Sequence, residues 1–291
     1  MDYLIRGTDK ENKIKFVFAV TTQTVEKARQ IHNTSMTASA VLGRTLTAGA
    51  LLATNLKNPK DNLTIIINGD GPAGRIIAIA GGDGSLKAYM DHPEIDLPIR
   101  EDGKIDVRAA VGKGNISVNM DLGLKEPYCT NVPIVDGEIG QDFANYLYTS
   151  DQVPSVVGLG VLVDRDLSIK AAGGFMIQLL PGYCDEDIDS LEKSLKNIKS
   201  VTDMISKGMS PEDMAAHVLD GYDLKILRKD DLDFKCDCSR QRVEKALISL
   251  GKKELQAMKD EDHQAEVNCH FCKEKYIFTE EDLEKLIKSL D

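Results

Sequence analysis

The sequence contains no tryptophan, and only 5% of its 291 residues are aromatic. It also lacks an excess of positive charge, because 36 Lys and Arg residues stand against 47 Asp and Glu residues, a formal net charge of −11. Proteins bind nucleic acids largely by neutralising phosphates with basic side chains. The acidic balance therefore argues against a nucleic-acid-binding protein.

Long apolar runs are missing as well. The longest stretches without Asp, Glu, Lys or Arg, residues 30–43 and 171–184, span 14 residues each, whereas a transmembrane helix needs about 20 predominantly apolar residues. Residues 1–6 show no basic region leading into an apolar one, as a signal peptide would. We therefore expect a soluble cytoplasmic protein with no membrane contact.

The first 180 residues predict an α+β core domain, because several strands are followed by a few helices without strict alternation. Alternating or β-branched runs predict strands, and Ala- and Leu-rich runs predict helices. The predicted strands cover residues 13–21, 63–68, 75–80, 86–90, 115–121, 155–163 and 168–179, and the predicted helices cover 37–57 and 139–150. Gly69, Gly71 and Gly74 match a dinucleotide-binding pattern, but a strand follows them instead of a helix, so we predict a hairpin turn.

The composition changes at residue 181, and residues 181–235 predict an acidic, amphipathic helical linker. Apolar residues recur there at helical spacing: Ile188, Leu191, Leu195, Ile198 and Ile205. Ser210 followed by Pro211 is typical of a helix start. Two interpretations stay open, a helical segment packed permanently on the first domain or an element whose docking can be switched.

The last segment, residues 236–291, carries four of the six cysteines in two tight pairs. Cys236 and Cys238 form a C-x-C pair, Cys269 and Cys272 form a C-x2-C pair, and 30 residues separate the pairs. Two such pairs complete a tetrahedral shell of four thiolates that suits Zn²⁺. Cytosolic thiols are normally reduced, so metal binding is favoured over structural disulfides. The sequence therefore predicts one four-cysteine zinc site, with Cys129 and Cys184 as bystander thiols.

The C-x-C spacing is tighter than the two to four residues that usually separate paired zinc ligands. Two adjacent thiols can form a small, strained disulfide, which is the labile kind, and zinc-bound thiolates are the form that oxidants attack. The residues alone leave two interpretations, a purely structural zinc knuckle or a redox switch.

We find no nucleophile elbow, phosphate-binding loop or suggestive carboxylate pair, so the sequence predicts no enzyme active site.

The residues around the cysteines resemble the heat shock protein 33 family of bacterial redox-regulated holdase chaperones. The resemblance covers nearly the whole chain and shows no departure at the four cysteines. Its motifs are Cys236-x-Cys238-Ser239, Glu244, Leu250-Gly251, Cys269-His270-Phe271-Cys272, Tyr276-x-Phe278, the segment from Thr37 to Thr45, Gly69-Asp70-Gly71-Pro72-x-Gly74, Gln152-Val153-Pro154-Ser155 and Ala171-Ala172-Gly173-Gly174-Phe175.

This resemblance implies a zinc-bound, monomeric and inactive reduced state. Oxidation would form the disulfides Cys236–Cys238 and Cys269–Cys272, release zinc and unfold both the switch and the linker. The exposed surface would then bind unfolding client proteins without ATP during oxidative and heat stress, and the active form would dimerise. A zinc-ribbon nucleic-acid binder and a thiol oxidoreductase remain as alternatives of other classes.

Overall fold

The computed structural model describes residues 1–196, 198 and 200–290. It separates into two compact units, Met1–Lys235 and Cys236–Asp291. In chain order, the strands of the first unit are β1 (Tyr3–Asp9), β2 (Ile14–Val20), β3 (Asn62–Gly69), β4 (Arg75–Gly81), β5 (Ser85–Met90), β6 (Gly114–Asp121), β7 (Tyr128–Pro133), β8 (Ser155–Val163), β9 (Ile169–Leu179), β10 (Leu224–Asp231) and β11 (Asp233–Phe234). Its helices are α1 (Thr22–His32), α2 (Met36–Ala53), α3 (Val107–Val111), α4 (Gly140–Tyr146), α5 (Asp185–Lys196), α6 (Val201–Ser206) and α7 (Pro211–Val218).

Two sheets organise the first unit. The five-stranded sheet has the order β10-β1-β2-β9-β8, with antiparallel pairing throughout. The six-stranded sheet has the order β11-β5-β4-β3-β6-β7, where the short pairing of β11 with β5 is parallel and the others are antiparallel. Mostly antiparallel sheets with separate helices confirm the predicted α+β class.

Helix α2 lies between the two sheets, in contact with β4 and β5 of one and with β8 and β9 of the other. Ser35 caps its start by accepting a hydrogen bond from the N–H of Ala38. By length and composition alone α2 could cross a membrane, but 83% of it is buried inside the protein. This burial accounts for its apolar composition, since a core helix has no polar face to present to water.

The outer face of the five-stranded sheet is covered by helices α5, α6 and α7. Side chains of β2 pack on both faces of the sheet, because alternate side chains of a strand point to opposite sides. Ile14, Phe16 and Phe18 join the cluster under α5–α7, whereas Val17 and Ala19 face α2. The helices contribute these buried side chains: Leu191, Val201, Met204, Met214, Ala215 and Val218. A single antiparallel sheet is thus buried on both faces.

Most predicted elements are present, with shifted ends. The predicted strands and the two predicted helices of the first 180 residues correspond to β2–β6, β8, β9, α2 and α4, with a π-helical turn, Leu147–Asp151, continuing α4. The glycine pattern is a hairpin turn between β3 and β4, and Gly74 has φ +66°. Ser210 caps α7 as predicted.

The segment at 181–235 departs from a purely helical linker. After α7, residues 224–231 form β10, which pairs with β1 along its whole length. Five of the eight β10 residues are charged and most are exposed, so no apolar period marks it as a strand. Backbone pairing at the sheet edge decides its conformation instead. Strands β1 and β7 and helix α1 were also not predicted.

The second unit is small and built around a hairpin. It contains α8 (Arg240–Ser249), α9 (Lys252–Ala257), β12 (Gln264–Asn268), β13 (Lys275–Thr279) and α10 (Glu280–Lys288). A capping box between Thr279 and Asp282 starts α10. Its buried apolar side chains are Leu247, Leu255, Ala265, Phe278, Leu283 and Ile287. A core of this size seldom stabilises a domain of fewer than ~70 residues by itself.

We expect Met214→Ala to loosen the cover of the outer sheet face. Met214 is fully buried against that face, and such truncations cost about 2–5 kcal/mol. Hydrogen exchange of the α7 amides should accelerate while exchange in β3 and β4 stays unchanged. The exposed His217 offers a matched change on the same helix, and equal effects of Met214→Ala and His217→Ala would contradict the packing described.

Candidate metal centre

The first cysteine pair lies in the segment that leads into α8. Ser239 follows directly and caps α8, because its hydroxyl accepts a hydrogen bond from the N–H of Arg242 at 3.3 Å. Cys236 and Cys238 precede this cap on either side of Asp237, and the N–H of Cys238 donates a hydrogen bond to the sulfur of Cys236. The cap fixes the start of α8 two residues after Cys238.

The second pair lies in the turn between β12 and β13. The N–H of Cys269 donates to the carbonyl of Glu274, and the N–H of Lys273 donates to the carbonyl of Cys269, each at 2.9 Å. Lys273 adopts a left-handed conformation with φ +61°. This tight turn presents the sulfurs of Cys269 and Cys272 together, as a C-x2-C spacing allows.

Arg240 ties the helix that follows the first pair to the hairpin that carries the second. Its guanidinium donates to the carbonyl of Ile277 at 2.9 Å and to the carboxylate of Asp282 at 2.8 Å. It also lies 4.3 Å from the centre of the Phe278 ring. Two charge-assisted bonds and a ring contact orient α8 against the hairpin.

The four sulfur atoms meet in one cluster within 4.8 Å of one another, and all four residues are partly buried. The Sγ atoms of Cys236 and Cys269 are 3.7 Å apart, and those of Cys238 and Cys272 are 3.3 Å apart. In the part of the chain that the structure describes, this is the one group of cysteine, histidine or acidic side chains close enough to share a metal ion. The four cysteines predicted from the sequence are thus brought together.

The environment affects the four thiols unequally. Burial raises the pKa of Cys236 to about 11, and burial likewise raises the pKa of Cys272. Burial acts in the same direction on Cys269, but hydrogen bonds from the N–H groups of Cys272 and Phe271 outweigh it and lower the pKa of Cys269. The turn therefore favours a thiolate at Cys269.

One side chain outside the cysteines contacts the cluster. The hydroxyl of Tyr276 donates a hydrogen bond to Sγ of Cys238 at 3.2 Å, and this bond raises the pKa of Tyr276. The sequence marked Tyr276 only as part of a family motif. The available signal was its position two residues before the buried Phe278, which places both side chains on the same face of β13.

The remaining two cysteines lie elsewhere, in the first unit. Cys129 is exposed on the edge strand β7, and Cys184 is exposed just before α5. The Cys184 thiol contacts the carboxylate of Asp187 at 3.1 Å, and the acidic neighbours Glu186 and Asp187 raise its pKa. An exposed thiol disfavoured as thiolate is a poor nucleophile, in keeping with a bystander role.

The family model described as Hsp33 protein matches residues 2–279. The 33 kDa chaperonin of Thermoanaerobacter sp. is 47% identical over 288 residues, which cover 99% of this chain and 98% of that protein. The 33 kDa chaperonin of Clostridium tetani is 46% identical over 291 residues, covering 100% and 99% of the two chains. The crystal structure of the Thermotoga maritima 33 kDa chaperonin, a heat shock protein 33 homologue, superposes with a TM-score of 0.91 at 36% identity, covering 99% of this chain and 98% of that one.

These names denote chaperones and not enzymes, in agreement with the prediction that the chain is no enzyme. The resemblance seen in the sequence is confirmed by a family model over nearly the whole chain and by relatives matched from end to end. The chain belongs to the Hsp33 protein family.

Proposed function

We propose that this protein is a redox-regulated, ATP-independent holdase chaperone whose four clustered cysteines form the switch. The observation that carries the proposal is the meeting of four sulfurs within 4.8 Å in a unit with a small core. Membership of the Hsp33 family and the chaperonin names of its relatives supply the activity class. The absence of a phosphate-binding loop in the sequence agrees with independence from ATP.

The donor set suits a zinc ion held by Cys236, Cys238, Cys269 and Cys272. A tetrahedral shell with Zn–S distances of about 2.3 Å has sulfur–sulfur edges of about 3.8 Å, close to the 3.7 Å between Cys236 and Cys269. When bound, Zn²⁺ keeps all four sulfurs as thiolates and contributes about 10–16 kcal/mol of folding free energy in small modules. Residues 236–291 would therefore be folded as long as these ligands are reduced.

Oxidation removes the ligands in pairs. A thiolate attacks one peroxide oxygen and becomes a sulfenic acid while hydroxide leaves; a neighbouring thiolate then attacks that sulfur, displaces a second hydroxide and completes the disulfide. The two sulfurs lose two electrons and the peroxide gains them. A disulfide sulfur carries no ligand charge, so both pairs would give up zinc.

The pairing of the sulfurs decides what happens to the fold. The sulfur contacts of 3.7 and 3.3 Å join different pairs, Cys236 with Cys269 and Cys238 with Cys272. Disulfides between them would close loops of more than 30 residues and stabilise the folded unit. Disulfides Cys236–Cys238 and Cys269–Cys272 leave the two halves unconnected. We propose the local pairs, which the family resemblance implies and which would let the unit unfold when zinc leaves.

Unfolding would next reach the linker. We propose that residues 1–180 form the chaperone core, 181–235 the linker and 236–291 the switch.

Strand β11 ends at Phe234, two residues before Cys236. Release of β10 and α5–α7 would uncover the outer sheet face with Phe16, Phe18 and Phe175. That apolar face would bind unfolding clients in the cytoplasm, and the oxidised form would dimerise whereas the reduced form stays monomeric.

Each ligand cysteine is expected to be needed for zinc. Cys→Ser at position 236, 238, 269 or 272 should weaken zinc binding by more than ~100-fold, since even groups that only orient a ligand are worth 10–100-fold. Zinc content by atomic absorption and competition with a chromophoric chelator measure this. Cys129→Ser and Cys184→Ser serve as matched controls that retain one zinc per chain. A ligand variant with full, tight zinc would refute the four-thiolate site.

Oxidation is expected to switch the activity on. Treatment of the reduced protein with peroxide at elevated temperature should release one zinc, consume four thiols and start suppression of aggregation of a heat-denatured client. Peptide mapping then identifies the disulfides. Zinc that stays bound while the thiols resist would make the site a structural knuckle. Catalytic turnover with a dithiol donor would instead indicate an oxidoreductase, and a complex on a low-salt gel shift would indicate a nucleic-acid binder.

Charge placed under the linker is expected to switch the activity on without oxidation. Leu191 is 5% exposed against the sheet, and a buried carboxylate there costs several kcal/mol. Leu191→Asp, and Leu195→Asp at a partly buried neighbour, should raise client binding by the reduced, zinc-loaded protein. Lys193→Asp introduces the same group at an exposed position of α5. An inactive Leu191→Asp protein under reducing conditions would remove the linker from the switch.

A further inference from the structure

Tyr276 contacts Cys238, and the switch proposed above assigns no role to this contact. Its hydroxyl lies 3.2 Å from Sγ of Cys238, and its ring packs against the small core of the second unit. The pairing of Tyr276 with Val267 in the hairpin fixes the backbone that carries the ring. The hydroxyl is therefore held at the sulfur by both the strand and the core.

The four sulfurs differ in the kind of donor they receive. Backbone N–H groups donate to Cys236, Cys269 and Cys272: that of Cys238 to Cys236, those of Phe271 and Cys272 to Cys269, and that of Glu274 to Cys272. Among the residues described, a side-chain hydroxyl donates to Cys238 alone. A backbone N–H donor is kept when a side chain is substituted. The hydroxyl that donates to Cys238 is lost when Tyr276 is replaced by a residue without one.

We propose that Tyr276 is a positioning residue that restrains the reactivity of the Cys238 thiolate toward oxidants and other electrophiles. A hydrogen bond to a thiolate draws electron density from the sulfur and occupies a lone pair, and nucleophilicity falls as that density falls. Groups that donate to metal ligands also orient them toward the ion. The proposal rests on the proposed thiolate metal site and adds a residue that sets how readily it reacts.

The consequence concerns the threshold of the switch. Cys238 can enter a disulfide only by attack of its thiolate on an oxidised sulfur or on the oxidant itself. The Tyr276 hydroxyl slows both steps at this one sulfur without changing the other three. Loss of the hydroxyl therefore accelerates reaction at Cys238 first, by about threefold.

The test is alkylation of the full-length reduced protein by iodoacetamide in buffer containing excess zinc. The thiolate sulfur forms the C–S bond and iodide leaves with the electron pair, so no redox step is involved. Isotope-coded labelling followed by peptide mapping gives the rate at each cysteine. Tyr276→Phe keeps the ring and removes the hydroxyl, and it should raise the rate at Cys238 about threefold while the other three ligands change little.

Two further variants separate reactivity from loosening of the fold. Tyr222→Phe removes a buried hydroxyl without a hydrogen-bond partner and should alter none of the rates. Phe278→Leu trims the fully buried neighbour of Tyr276 on β13 and should raise all four rates together. If Tyr276→Phe raises all four alike, or leaves Cys238 unchanged, the proposal is overturned.

The outcome also distinguishes this proposal from the function on which it rests. Zinc content is measured on the unsubstituted protein in the same buffer. A chain that holds no zinc there ends the proposed switch and the role of Tyr276 with it. A zinc-loaded chain whose Cys238 rate is insensitive to Tyr276→Phe ends the role of Tyr276 alone.

Discussion

Four sulfurs gathered within 4.8 Å impose the constraint on which the second unit depends. Two thiolates 3.7 Å apart repel each other by about 4–5 kcal/mol at an effective dielectric constant of 20, and the cluster contains several such pairs. A divalent cation reverses this balance, because each sulfur then contacts opposite charge. A metal ion at this cluster would therefore stabilise the fold, whereas without one the sulfurs avoid the repulsion by staying protonated, in line with the raised pKa of Cys236 and Cys272. Chemistry that withdrew the sulfurs from such an ion would act directly on the fold.

In the first unit, the corresponding constraint is that apolar side chains on the outer face of a sheet must stay covered. Its five-stranded sheet buries both faces, and the cover of the outer face comes from α5–α7, which lie between β9 and β10 in the chain. Phe18 and Phe175 stack there with ring centres 5.4 Å apart. A face rich in aromatic side chains is suited to bind unfolded protein, since such rings bury large apolar area. The core around α2 lies on the opposite side of the sheet from this cover.

The sequence predicted those features that depend on local pattern. The β-branched run of β3, the cap Ser210 and the two cysteine pairs each carry their signal within a few residues. Strand β10 carries none, because its exposed, charged side chains pack against little and its conformation depends on the backbone of β1. The contact of Tyr276 with Cys238 spans 38 residues of chain, so only the folded hairpin reveals it. Elements set by neighbouring residues can thus be predicted from the sequence, whereas contacts between residues far apart in the chain cannot.

The two constraints are joined by the shortest possible covalent route. β11 pairs with β5 through Asp233 and Phe234, the N–H of Lys235 donates to the carbonyl of Leu86 at 2.9 Å, and Cys236 is the next residue. Burial of the Phe234 ring is worth about 1.5–3 kcal/mol, less than the roughly 10–16 kcal/mol that a structural zinc ion contributes in small modules. An unfolded chain attached at Cys236 gains conformational entropy when its attachment point is freed. This gain favours release of β11, whose pairing with β5 ends at Phe234. If residues 236–291 unfold as proposed, the change would reach the linker through chain connectivity at β11.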